Sequence, residues 1–111
     1  MVGRNAVRRG DVFLVALAPS IGREIRKPRP CLVVSPDELN ISDTTFIVVP
    51  MTTGTHTYPF RVACRFAGKH GHVVVDQIRT IDPARLVRRL GRIAPAVEAR
   101  VLGALQEMFA A

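Results

Sequence analysis

The sequence predicts a small, strongly bent antiparallel β-barrel with one helix at its C-terminus. Three observations support this fold class. Short apolar stretches bounded by glycine and proline recur as far as residue 94. From Pro95 onward the apolar residues recur at helical spacing instead. The chain has 111 residues, 48% of them hydrophobic, which suffices for one core. We therefore expect a single domain over residues 1–111, mainly β with α.

The predicted strands are short and mostly apolar, as expected for a small barrel. An exposed loop at residues 18–28, with two prolines and a charge cluster, separates the first two strands. A turn or a single helical turn at 36–40 follows the second strand. The strands are predicted at residues 11–17, 30–35, 45–51 and 58–66, from residue 73, and at 89–94.

Two helical segments are predicted near the C-terminus. Pro95 suits the first position of an amphipathic helix whose apolar residues are Val97, Val101, Leu102, Leu105, Met108 and Phe109. A shorter turn is expected at residues 82–86, where Asp82 can cap and Pro83 can begin it.

The charge balance predicts an acidic partner. Sixteen Lys and Arg residues face nine Asp and Glu, for a net charge of +7, and fourteen of the sixteen are arginine. Guanidinium groups suit bidentate phosphate binding, so nucleic acid is the first expectation, an acidic protein segment the second and an anionic membrane surface the third. A solvated basic surface without a partner is the fourth reading.

Several classes of function are disfavoured. No apolar stretch reaches the ~20 residues that span a bilayer, and the N-terminus lacks the apolar core of a signal peptide, so we expect a cytoplasmic protein. Cys31 and Cys64 have no Cys or His at metal-ligand spacing, and His70 and His72 lack a third ligand. We therefore expect small buried cysteines, surface histidines, and neither a metal site nor a cofactor.

The run that begins with Arg29 and Pro30 is the most informative part of the chain. Proline restricts the preceding residue to extended backbone, and a buried strand follows, so Arg29 is expected at a strand mouth, facing an anion. Thr52, Arg79 and Thr80 also lie at predicted strand ends, and Glu24 and Asp76 add carboxylates. Alternatively, Arg29 pairs with Glu24 or Asp76, Thr52 is a turn residue, Asp76 pairs with Arg79, or Asp76 is a buried hydrogen-bond hub.

This set of side chains fits RNA cleavage without a metal. RNA carries its own nucleophile, the 2′-hydroxyl, so an enzyme needs a base, fixed cations for the phosphorane and a donor to the leaving oxygen. Because the pKa of arginine lies above about 12, Arg29 is assigned to charge stabilisation first and to proton donation second.

Five motifs together resemble the MazF/PemK toxin family over about residues 8–109. They are Arg9-Gly10-Asp11-Val12, Pro19…Gly22-Arg23-Glu24, Arg29-Pro30-Cys31-Leu32-Val33-Val34-Ser35, Val49-Pro50-Met51-Thr52 and Asp76-Gln77-Ile78-Arg79-Thr80-Ile81-Asp82. The resemblance implies the MazF/CcdB-like toxin fold, an SH3-like barrel that forms a homodimer. It also implies a metal-independent mRNA interferase that leaves 2′,3′-cyclic phosphate and 5′-hydroxyl ends on single-stranded RNA, and a MazE-like antitoxin with an acidic tail.

The same resemblance assigns roles to residues of this chain. The catalytic positions of the family fall on Arg29, Thr52, Glu24 and Asp76, and the neighbouring side chains expected to bind RNA are Arg23, Arg26, Lys27, Arg79 and Thr53. The chain has Arg23 and Val74 where some PemK-type members have histidine and arginine, so the general acid and general base stay unassigned. Two other functions are considered: a CcdB-like gyrase poison, although the chain has no Trp, and a non-catalytic barrel that binds nucleic acid or a partner.

Overall fold

The structure is a computed structural model that describes residues 7–19, 21–24, 27–54 and 59–111. The strands are β1 (Asp11–Val15), β2 (Arg29–Val33), β3 (Phe46–Thr53), β4 (Arg61–Phe66), β5 (Lys69–Val74), β6 (Arg79–Ile81) and β7 (Leu86–Arg92). The helices are α1 (Asp37–Asn40) and α2 (Pro95–Met108), and 3-10 turns cover Val75–Gln77 and Pro83–Arg85.

The strands form one antiparallel sheet in the order β4-β5-β3-β2-β1-β7. Strand β3 is the longest: β2 lies on one side of it, while β6 and then β5 pair with successive parts of its other side. Among the described residues the edge strands β4 and β7 are not hydrogen-bonded to each other, so the sheet stays open there. The predicted class, mainly β with a C-terminal helix, is confirmed.

Both faces of the central strands are buried, which explains their continuous apolar runs. On one face, Val12, Leu32 and Val49 pack with α2 through Val97 and Val101. Alternate residues of the same strands form a second cluster on the opposite face. The second cluster contains Val7, Phe13, Val15, Leu17, Cys31, Val33, Phe46, Val48 and Ile81.

The Arg9-Gly10-Asp11 motif connects β1 to β7. Asp11 is fully buried, and its Oδ1 lies 2.6 Å from Arg92 Nη1 and 2.8 Å from Arg89 Nη1. The backbone N–H of Arg8 donates to Oδ2 at 2.8 Å. The φ of Gly10 is +96°, a backbone conformation that residues with a side chain rarely adopt, so this turn favours glycine. We call Asp11 with its two arginines the Asp11 cluster.

Some element boundaries differ from the sequence-based expectation. The first strand ends at Val15 rather than at residue 17, the last strand begins at Leu86, and the three-residue strand β6 was not predicted. So short a strand shows too few alternations to be recognised. The predicted cap is confirmed, because the side chain of Asp82 accepts a hydrogen bond from the N–H of Ala84 at 2.8 Å.

Candidate active site

Arg29 is the first residue of β2, opposite Val15 of β1. Its side chain is half-buried, and the buried Nε donates no hydrogen bond within the described part of the chain. The alternative pairings with Glu24 and Asp76 do not occur. Glu24 Oε1 instead accepts from the N–H of Ile21 at 2.7 Å, and Asp76 Oδ1 lies 3.2 Å from Nε of Arg61. A buried, unsatisfied guanidinium nitrogen at a strand mouth is suited to an anionic ligand.

Thr52 lies inside β3, which continues to Thr53, so its reading as a turn residue is wrong. Strands β2 and β3 pair Cys31 with Pro50 and Leu32 with Val49. This pairing ends two residues before Arg29 and Thr52, so it brings both residues to the same end of the two strands.

Arg29 and Thr52 line a pocket of about 310 Å³, which we call the Arg29 pocket. Its wall is mostly apolar, and none of the described side chains around it is acidic. The lining residues are Arg29, Pro30, Met51, Thr52, Thr53, Cys64, Phe66, Ala67, Lys69, His70, Gly71 and Leu90.

Glu24 and Asp76 lie in a second pocket of about 480 Å³, here named the Asp76 pocket. It also contains Arg79, whose Nη1 donates to the carbonyl of Leu17 at 3.1 Å. The other lining residues are Leu17, Pro50, Gln77, Ile78 and Thr80. The predicted catalytic set is thus divided between two pockets: arginine and threonine in one, carboxylates in the other.

The two pockets adjoin, because consecutive residues of β3 line them: Pro50 lines the Asp76 pocket and Met51 lines the Arg29 pocket. Cys31 is buried in the neighbouring strand β2. Burial raises the pKa of its thiol to about 12, while the positive charges of Arg79 and then Arg29 act in the opposite direction. A thiol with a raised pKa is poorly suited to act as a nucleophile, and Cys31 is therefore assigned to the core.

Asp76 occupies the 3-10 turn that follows β5, and 43% of its side chain is exposed. Its described ionic partner is Arg61, at 3.2 Å. The readings of Asp76 as a buried hub and as the partner of Arg79 are both wrong, because the chain turns out of the sheet after Val74.

The residues expected to bind RNA are spread over the same region. Arg23 and Lys27 are exposed on the loop before β2. Thr53 lines the Arg29 pocket, and Arg79 lines the Asp76 pocket. Arg26 lies outside the described residues.

The chain is similar to known proteins along most of its length. A family profile described as the PemK-like, MazF-like toxin of type II toxin–antitoxin systems matches residues 8–109. The endoribonuclease PemK of Escherichia coli is 37% identical, over 96% of this chain and 84% of PemK. The chain belongs to this toxin family. The predicted family and enzyme class, an endoribonuclease toxin, are confirmed at this level.

Solved structures of family members share the fold. A crystal structure of MazF from Deinococcus radiodurans has a TM-score of 0.81 and 29% identity, and covers 92% of this chain and 94% of its own. An endoribonuclease in complex with its cognate antitoxin, from a mycobacterial species, has a TM-score of 0.76 and 28% identity over 92% of this chain and 93% of its own.

Gly71 is a site residue of this toxin that the sequence did not indicate. It lies opposite Thr53 in the pairing of β5 with β3. A Cβ at this position would overlap the carbonyl oxygen of Thr52 and lie 3.2 Å from Cα of Thr53. Gly71 therefore lets β5 approach the segment of β3 that carries the site threonine. A lone glycine in a strand gives little signal in a sequence.

Other features of the toxin concern metals, cysteines and membranes. Cys31 and Cys64 are both free. Within residues 7–19, 21–24, 27–54 and 59–111, no three His, Cys, Asp or Glu side chains are grouped so that they could hold a metal ion. The described helices are too short and too polar to cross a membrane.

Proposed function

We propose that this chain is a metal-independent, sequence-selective endoribonuclease toxin that cleaves single-stranded mRNA. The 2′-hydroxyl of the RNA attacks the adjacent phosphorus and the bond to the 5′-oxygen breaks, which gives 2′,3′-cyclic phosphate and 5′-hydroxyl ends. The observation that carries the proposal is the buried, unsatisfied Nε of Arg29 beside Thr52, in a pocket with no described acidic lining. Membership in the toxin family supports it.

Arg29 stabilises the charge that accumulates on the phosphorane oxygens. A fixed donor is effective here because it needs no reorganisation when the charge develops. The hydroxyl of Thr52, which lines the same pocket as Arg29, donates to a phosphate oxygen.

Glu24 takes the proton of the 2′-hydroxyl in this mechanism, and the leaving 5′-oxygen takes a proton from solvent water. It lies on the loop that leads to Arg29, and its carboxylate is exposed. Asp76 is less suited because Arg61 holds its carboxylate, and we assign it to positioning of the Asp76 pocket. Arg23, Arg26, Lys27 and Arg79 attract the RNA phosphates, together with the hydroxyl of Thr53.

The proposal includes the partners expected of the family. One mycobacterial relative was solved with its cognate antitoxin, and a net charge of +7 complements an acidic, MazE-like antitoxin tail. We also propose a single domain, a homodimer and a cytoplasmic location.

The decisive experiment is cleavage of a single-stranded RNA in EDTA, followed by analysis of the ends. We expect cleavage at selected sites, with 2′,3′-cyclic phosphate and 5′-hydroxyl termini, and no cleavage when the nucleotide 5′ to the cut carries a 2′-deoxy sugar. Cleavage of the deoxy substrate would remove the proposed nucleophile. Intact RNA together with inhibited DNA gyrase would favour the gyrase-poison hypothesis instead.

The assignment of the base is tested by two isosteric variants. Glu24→Gln should lower kcat by about 10²-fold or more, the usual contribution of a general base. Asp76→Asn should lower it less than about tenfold, since a positioning carboxylate leaves the proton transfer in place. The reverse order would move the base to Asp76.

A further inference from the structure

We propose that Arg85 is a positioning residue for the cleavage reaction, because it fixes the start of the loop that carries Glu24 and leads to Arg29. This inference rests on the proposed function, in which Glu24 takes the proton of the 2′-hydroxyl. The loop joins β1, which ends at Val15, to β2, which begins at Arg29. We call its first three residues, 16–18, the loop root.

The guanidinium of Arg85 holds both ends of the loop root. Its Nη1 donates to the carbonyl of Ala16 at 3.0 Å and to that of Ala18 at 2.6 Å. The backbone carbonyl of Arg85 also accepts a hydrogen bond from the N–H of Ala16 at 2.9 Å. The carbonyl of Leu17, between them, accepts from Nη1 of Arg79 at 3.1 Å. Two arginines from outside the loop thus satisfy three consecutive carbonyl groups.

The loop root needs these donors because it lies partly below the surface. Leu17 is fully buried and packs in the second core cluster, although residues 16–18 follow the last residue of β1. A carbonyl group near the core is costly to leave without a partner, and a charged donor forms a stronger bond than a neutral one. Removal of the Arg85 side chain therefore loosens the start of the loop.

Arg85 is itself held in a fixed position. It is the last residue of the 3-10 turn Pro83–Arg85, which the side chain of Asp82 caps, and its N–H donates to the carbonyl of Asp82 at 3.0 Å. The next residue, Leu86, packs against the second core cluster. A guanidinium on so rigid a support can hold a neighbouring segment in one place.

The loop root is close to the site in space and in sequence. Leu17 lines the Asp76 pocket together with Glu24, and Arg85 lines neither the Asp76 pocket nor the Arg29 pocket. Two residues separate Ala18 from Ile21, whose N–H donates to Oε1 of Glu24 at 2.7 Å. A displaced loop root therefore displaces the carboxylate, and misplacing a catalytic group by about 1 Å can lower the rate by up to about 10²-fold. Arg85 thus acts through the loop.

The position of the loop can be tested with trypsin, without RNA. The loop contains the tryptic sites Arg23 and Arg26. Because Arg85→Ala removes two hydrogen bonds from a charged donor, cleavage after these sites in the folded protein should become about tenfold faster, as measured by mass spectrometry. Arg100→Ala is the matched control, since Nη2 of Arg100 donates to the carbonyl of Ala63 on β4 at 3.0 Å, away from the loop. Its tryptic cleavage should equal that of the wild type.

The effect on the reaction is measured by cleavage of single-stranded RNA. Arg85→Ala should lower kcat by about tenfold and change KM by less than about threefold. In a Glu24→Gln background this loss should disappear, because the position of a side chain that takes no proton has no effect on the rate. Arg85→Lys, which keeps the charge but not the fork of donors, should give intermediate values. If urea unfolding shows that Arg85→Ala is poorly folded, Arg85→Lys provides the same two measurements.

Unchanged tryptic cleavage of a folded Arg85→Ala protein would overturn the inference, since Arg85 would then not fix the loop. A loss of kcat that persists in the Glu24→Gln background would also overturn it, as would a raised KM with unchanged kcat, which would assign Arg85 to an RNA phosphate. Wild-type protein that leaves RNA uncut would remove the proposed function itself. That failure is distinct, because faster tryptic cleavage of Arg85→Ala would still show that Arg85 holds the loop.

Discussion

The Asp11 cluster and the Arg29 pocket use arginine in opposite ways. In the cluster, Arg89 and Arg92 lie 2.8 and 2.6 Å from one buried carboxylate oxygen, and the guanidinium of Arg89 also lies 5.1 Å from the ring centre of Phe13. In the pocket, Nε of Arg29 is buried with no hydrogen-bond partner in the described part of the chain. Arg89 and Arg92 are thus neutralised within the fold, whereas Arg29 is left for a ligand.

This difference separates stability from activity. When a buried carboxylate loses its charge, the arginines around it are left without that partner. Substitution in the Asp11 cluster should therefore affect the free energy of unfolding first. Removing a guanidinium that has no partner within the protein changes the free energy of unfolding only slightly. Substitution of Arg29 should therefore affect catalysis first. Each family motif can therefore be assigned to stability, where its charged group has a partner within the protein, or to activity, where it has none.

The largest expected effect is that of Arg29→Ala on cleavage. Loss of one fixed donor to a developing oxyanion typically lowers kcat by about 10²- to 10³-fold. The midpoint of urea unfolding should change by no more than that of a surface substitution. Single-turnover cleavage and urea titration measure the two quantities. Arg88→Ala, at an exposed position of β7, is the control and should retain activity.

A scaffold role for Arg29 would give the opposite pattern. In that case Arg29→Ala would unfold at lower urea concentration while its folded fraction cleaved RNA at the wild-type rate. The Arg29 pocket would then resemble the Asp11 cluster, and the distinction between them would be lost.

The second effect, on stability, is that of Asp11→Asn. Removal of one partner from a buried ion pair costs about 3 to 5 kcal/mol. We expect the lower end, about 3 kcal/mol, because Arg89 and Arg92 are partly exposed and can be rehydrated. Urea unfolding measures the loss. At low temperature, where the variant is folded, kcat should stay within about threefold of the wild type, and a parallel loss of kcat would connect the cluster to the active site.

The third effect is that of Gly71→Ala, which connects the scaffold to the site. The new methyl group would overlap the carbonyl of Thr52 and displace the end of β3. We expect kcat to fall about tenfold, since small displacements of catalytic groups have such effects. Gly103→Ala, whose Cβ would meet no heavy atom within 4 Å, is the matched control. In a Thr52→Ala background the Gly71→Ala loss of kcat should disappear; a loss that persists would be a general structural effect.

The sequence was sufficient to predict those parts of the fold whose residue pattern lies within a single strand. Strands β2 and β3 are continuous apolar runs, so their positions and the placement of Arg29 and Thr52 at one end of them followed from pattern and proline alone. Strand β6 was missed because three residues between two turns show no alternation. The helix α2 followed from its period and begins at Pro95 as expected.

The division of the site into two pockets could not be read from the chain. It depends on β3 pairing with β6 along its first half and with β5 along its second, which is a long-range property. Gly71 was missed for the same reason: its importance lies in the close approach of β3. Asp76 is exposed because the chain turns after β5. The three valines before it are typical of a buried strand, so the sequence gives no sign of this turn.

The smallest effect concerns Asp37, beside the Asp11 cluster, and depends on pH. The N–H of Arg9 donates to Asp37 Oδ1 at 2.8 Å, and this bond, helped by Asn40 and nearby arginines, lowers the pKa of the carboxyl below its usual value. A lowered pKa stabilises the fold above the unfolded value, near pH 4, and the gain disappears as the pH falls through the folded value. Asp37→Asn should therefore unfold at slightly lower urea concentration than the wild type at pH 7, and at nearly the same concentration at pH 3. If the difference in urea midpoint between the two proteins widened toward acid pH, the carboxylate of Asp37 would be destabilising. The hydrogen bond from Arg9 would then not stabilise this end of the sheet as the contacts of Asp11 do.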